Sequence, residues 1–73
     1  MKRELTEESI QNYLDYLVSI RICYGNERCH EHFKYAMNGA KHSFSAVDCK
    51  RLKAELLRRI DDEYKRRISL SAI

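Results

Sequence analysis

The chain has 73 residues, 34% of them charged, with a formal net charge of +3, three cysteines and no proline or tryptophan. So short a chain makes one domain with a thin core, burying only about 60% of its unfolded surface, and it needs a staple such as a disulfide, a metal or association. No apolar run approaches the ~18 residues a membrane span requires, so no membrane-spanning helix is expected.

The cysteine count is odd, and Met1-Lys2-Arg3-Glu4 leads straight into a polar helix rather than a signal peptide. A cytoplasmic protein with reduced thiols is therefore expected. With disulfides set aside, the expected staple is a protein partner or a second copy in a homodimer.

The spacing predicts a first helix over 7–23. Thr6 is its N-cap, Glu7 and Glu8 complement the dipole, and Leu5 with Ile10 has hydrophobic-staple spacing. Ile10, Tyr13, Leu14 and Leu17 follow the helical repeat, with Val18 and Ile22 widening the apolar face. Gly25-Asn26 breaks the pattern, and Asn26 is placed to cap a second helix over 27–37. Its apolar stripe, Cys29, Phe33, Ala36 and Met37, is narrow. Asn38-Gly39 reads as its stop, Gly39 taking a left-handed position, with a loop over 40–44 in which Phe44 packs beside the next helix.

The third helix is predicted over 45–68. Ser45 and Asp48 make an S-x-x-D capping pair, and Cys49, Leu52, Leu56, Ile60, Tyr64 and Ile68 recur at steps of three or four. Twenty-four helical residues span about 36 Å, whereas a globule of this size is roughly 30 Å across. The far end should outreach the domain, so Leu56, Ile60, Tyr64 and Ile68 are expected to form a protein interface, Tyr64 combining a large body with a polar tip. Residues 69–73 are expected to fray, with Leu70 and Ile73 available to extend the stripe.

Charge is uneven. Residues 1–48 hold six Lys/Arg against seven Asp/Glu, and residues 49–73 hold eight against four. The basic balance thus lies on the third helix, which suggests an acidic protein or nucleic acid. Glu55–Arg59, Asp61–Lys65, Asp62–Arg66 and Glu63–Arg67 are acid-before-base pairs at i, i+4, each contributing about 0.2–0.5 kcal/mol as a solvated ladder. Lys50, Arg51, Lys53 and Arg58 lack such partners and are the candidate phosphate contacts.

Cys29, His30, His32, His42 and Cys49 contain the only metal-like donors in suggestive proximity. A zinc site would draw on Cys29, His32, His42 and Cys49, but no finger spacing and no C-x-x-C is matched, so no metal is expected. The same residues offer a Cys–His pair without the orienting group and pocket that nucleophilic catalysis needs. No phosphate loop or paired-carboxylate signature accompanies them. An enzyme is not expected, and no cofactor.

Three fragments carry a resemblance: Asn12-Tyr13-Leu14, then Glu27-Arg28-x-x-Glu31-x-x-Lys34-Tyr35, then Ser45-Ala46-x-Asp48 followed by Leu52-x-Ala54-Glu55-Leu56. Together they resemble the Hha/YmoA family of small bacterial regulators in order and chain length. The chain departs from that family at Asn26 and His30, where the family is apolar. It needs gaps before Ser45 and after Asp48, and it lacks the family's C-terminal proline and tryptophan segment. The resemblance implies an all-helical, non-enzymatic protein that binds the nucleoid protein H-NS and modulates gene silencing, with Glu27, Glu31, Lys34 and Asp48 as charged partner contacts.

The expectation is therefore a single all-α domain over 1–73, helix-loop-helix-loop-long helix, assembling as a dimer or on a partner. Its expected work is that of a regulatory or adaptor protein linked to transcription, with direct nucleic-acid binding as the alternative.

Overall fold

Thr6 accepts a hydrogen bond from the Ser9 amide at 3.1 Å and opens α1 (Glu7–Tyr24) in the computed structural model, which describes residues 2–71. Two further helices follow, α2 (Asn26–Ser43) and α3 (Ala46–Ser71), and no strand occurs among the described residues. Ser45 starts α3, its hydroxyl oxygen accepting from the Asp48 amide at 3.2 Å.

A single residue joins α1 to α2. Gly25 closes α1 through its own amide, 3.0 Å from the Arg21 carbonyl, while its carbonyl accepts from Cys29 at 3.1 Å. It has φ 95° and ψ 172°, a conformation essentially reserved for glycine. Asn26 is thus the first residue of α2 and not its cap; no side chain caps that end.

The expected stop at Asn38-Gly39 does not occur. Gly39 is helical, and α2 continues to Ser43, where the Phe44 amide bonds to Ala40 at 2.9 Å. A mid-helix glycine costs about 1 kcal/mol. Continuing the helix buries Ala40 completely and Phe44 to 2% exposure, and a buried phenylalanine alone contributes roughly 1.5–3 kcal/mol. Burial wins over local turn preference. Likewise Ser69 to Ser71 are helical rather than frayed; Ile73 lies outside the described residues.

The core is a continuous seam of Leu5, Ile10, Leu14, Leu17, Val18, Cys29, Phe33, Ala40, Phe44, Leu52 and Leu56. Residue pairings give the helix directions. Cys29 Sγ donates to the Leu17 carbonyl and the Arg3 amide to Ser43, so α1 and α2 run antiparallel. Glu7–Arg59 and Asp15–Arg67 each join residues 52 apart, so along this edge α1 and α3 run in the same direction. The molecule is a rod of 45 × 22 × 16 Å.

That shape corrects the length argument. Because α1 accompanies α3, Ile60 and Tyr64 are half-buried against the core rather than bare, and Leu56 is wholly buried. Of the expected interface stripe, Ile68 remains 41% exposed, next to Leu70 at 60%.

Candidate partner-binding groove

α1 packs along both other helices, whereas α2 and α3 meet over a shorter stretch. The third seam of the bundle is therefore partly open. Cys29, Phe33 and Met37 line it at four-residue steps along α2, Cys29 and Phe33 as core residues whose outer edges form its floor, with Leu57, Ile60 and Cys49 contributed by α3. The upper part, about 740 Å³, lies between the start of α2 and the middle of α3. The lower part, about 600 Å³, lies against Met37, Phe44 and Cys49. A third hollow shares Phe33 with the first and Met37, Lys41 and Lys53 with the second, so the three lie side by side along α2. Leu57, 61% exposed beside fully buried Leu56, forms its apolar lip.

Charge is sorted by side. The α3 arginines from Arg58 onward are all paired, two of them across to α1. Arg59 pairs with Glu7 and Glu55, Arg67 with Asp15 and Glu63, Arg58 with Glu55 at 2.7 Å, and Arg66 with Glu63. The lysines border the groove instead. Lys34, Lys41, Lys50 and Lys53 line its lower half and make no ion pair among the described residues. At the upper end stand Glu27 and Asp61, the latter held by Arg21 at 2.9 Å and Lys65 at 3.3 Å. The Arg21 hydrogen bond, then that of Lys65, keeps the Asp61 carboxyl below its ordinary range.

This arrangement revises the nucleic-acid candidates. Lys50, Arg51 and Lys53 are exposed and unpaired among the described residues, but Arg58 Nη2 donates to both carboxylate oxygens of Glu55, at 3.0 and 2.7 Å. The Asp62–Arg66 rung is replaced by Glu63–Arg66, because three residues serve a helical arginine as well as four. The charged contacts implied by the family resemblance scatter. Glu27 and Lys34 border the groove, Glu31 pairs with Arg28 at 3.6 Å, and Asp48 sits in the first turn of α3.

The four metal-like residues are not gathered. Cys29 Sγ donates to Leu17 at 3.3 Å and Cys49 Sγ to Ala40 at 3.5 Å, while His42 is exposed. Burial pushes the Cys29 thiol up from its ordinary pKa, partly opposed by Arg21. His32 Nδ1 instead pairs with the Tyr16 hydroxyl, its ring edge-on to Tyr16 and Tyr35 at 5.7 and 6.0 Å. No group of three metal-binding side chains exists among the described residues. Sequence reasoning missed this aromatic cluster; the His32–Tyr35 spacing was its only local sign. No helix among the described residues is long and apolar enough to cross a membrane.

No protein-family model, curated protein or solved structure matches the chain.

Proposed function

We propose that this chain is a small cytoplasmic, non-enzymatic regulatory or adaptor protein that holds a partner protein through helix-to-helix contacts. One observation carries the reading: the bundle closes two of its three helix seams and leaves the third as an apolar groove lipped by Leu57 and rimmed by lysines that make no ion pair among the described residues. An apolar trough between two helices has the shape that receives an amphipathic helix. A link to transcription is supported by the basic third helix and by the resemblance to the Hha/YmoA regulators.

Site-specific photo-crosslinking tests it. A photoreactive residue at Leu57 should give a discrete protein adduct in cells, and the same residue at Asp62, on the α1-facing edge, should not. Equal labelling at both positions would overturn the proposal. Direct nucleic-acid binding is the second reading, favoured by Lys50, Arg51 and Lys53 near the start of α3, which make no ion pair among the described residues. It requires duplex affinity that falls steeply with salt and is lost in K50A/R51A/K53A, since each phosphate contact releases counterions.

A further inference from the structure

We infer that the occupant of the α2–α3 groove is an amphipathic helix with an acidic flank, its carboxylates seated on Lys34, Lys41, Lys50 and Lys53. The inference rests on the groove being a protein-binding surface and adds the chemistry of the partner.

Shape comes first. The depression follows α2, whose 18 residues span about 27 Å, so it accepts a rod of comparable length rather than a loop tip or a flat sheet. Its apolar residues Cys29, Phe33 and Met37 advance by one helical turn at a time. They match a partner presenting apolar side chains at i, i+3 or i+4, and i+7.

Charge then selects among rods. Every arginine of α3 from Arg58 onward already has an acidic partner within the chain, whereas these four lysines have none among the described residues. Asp61 at the opposite end is neutralised by Arg21 and Lys65, leaving Glu27 as the acid without an ion pair there among the described residues. The rim is therefore net positive and concentrated on the Phe44 side of the groove. An acidic helix meets attraction along that stretch, and a basic one meets like charge, which sets both partner choice and register.

A second copy of this chain offers a weaker match: beside exposed Ile68 at the end of α3, Lys65 is already paired with Asp61 and Arg66 with Glu63, which leaves no excess of acid there for the lysine rim. Nucleic acid would satisfy the lysines but not the apolar floor of Phe33 and Met37 or the Leu57 lip, whose exposure to a phosphate backbone gains nothing.

The test uses the full chain and three fluorescent probes. They are a designed peptide of 18 residues with leucines at helical spacing and a glutamate flank, the same peptide with lysines for glutamates, and a DNA duplex. Fluorescence anisotropy should show the acidic peptide binding in preference to the basic one. K41E/K53E should weaken it by on the order of tenfold and strengthen the basic peptide, with helicity by circular dichroism unchanged. Leu57→Asp, at an exposed position, should weaken both peptides.

If Leu57→Asp weakens both peptides but the acidic one holds no advantage and ignores K41E/K53E, the acidic-partner inference falls and the groove survives as a helix site. If neither peptide binds and the duplex does, both the inference and the adaptor reading fall.

Discussion

The Arg21 guanidinium lies over the face of the Tyr64 ring, 4.0 Å from its centroid, and donates to Asp61 at 2.9 Å. The last turns of α1 thereby clamp the outer half of α3, and Tyr64 serves the fold before it can serve a partner. A guanidinium over an aromatic face is worth about 0.5–2 kcal/mol, and an exposed ion pair adds at most about 1. Arg21→Ala is expected to lower unfolding free energy by about 1–2 kcal/mol in urea titration. Tyr64→Phe keeps the ring and should stay within about 0.5 kcal/mol of wild type. Tyr64→Asp should unfold the chain rather than detach a partner. A stable, monomeric Tyr64→Asp protein that had merely lost a binding partner would return Tyr64 to the interface.

Acid should loosen the same edge of the bundle. Hydrogen bonds from Arg66 and Arg67 hold the Glu63 carboxyl down at about 2, from an ordinary 4.5. The Glu7 and Glu55 carboxyls are likewise lowered, chiefly by hydrogen bonds from Arg59 and Arg58 respectively. A folded-state pKa below the unfolded one gives stability that is present above the unfolded pKa and lost as pH falls through the folded one. The melting temperature should thus be flat near neutrality and fall from about pH 5 toward pH 2. Glu63→Gln should be less stable at neutral pH and show a shallower acid decline. An acid profile identical to wild type would mean that Glu63 is not paired in solution.

What the sequence made legible was local. Thr6 and Ser45 bond the amides their capping roles require, and Leu52 lies in the core at the position its periodicity gave, whereas Leu56, expected at a partner surface, lies in the core as well. What it hid was set by tertiary packing. The stop at Gly39 was overridden because Ala40 and Phe44 gain burial only if α2 runs on. The reach of α3 was misjudged because a sphere was assumed, and a 45 Å rod lets α1 cover Ile60 and Tyr64. The groove itself is a gap between two helices, which no spacing within either helix encodes. Its traces in the sequence were slight: Leu57 directly after Leu56, and lysines without acids four residues before them.

The three thiols should differ in reactivity. Cys23 is exposed, Cys49 half-buried and Cys29 buried with its proton on the Leu17 carbonyl. Attack requires the thiolate, which burial disfavours at Cys29. A thiol-specific chromogenic reagent near neutral pH should label Cys23 in a fast phase, Cys49 more slowly, and Cys29 only as the bundle opens. Cys23→Ser should abolish the fast phase alone. Equal rates at Cys23 and Cys29 would contradict the packing of α2 on α1.

The two glycines give substitutions of opposite sign. Gly25 sits at φ 95° and ψ 172°, where a Cβ is strained even though no atom lies within 4 Å of it. Backbone in this region costs a non-glycine residue about 1–3 kcal/mol, so Gly25→Ala should destabilise by that order. Gly39 lies inside α2, with open space where a Cβ would stand. Alanine there restricts the unfolded chain and suits the helix, so Gly39→Ala should stabilise by up to about 1 kcal/mol. Urea midpoints for the two variants, measured side by side, separate two architectures. In this one the chain reverses at Gly25 and α2 runs on to Ser43. Were Gly39 instead a left-handed helix stop, both alanines would destabilise, the second half of α2 would unwind, and the lysine rim at Lys41 would lose the helix that positions it.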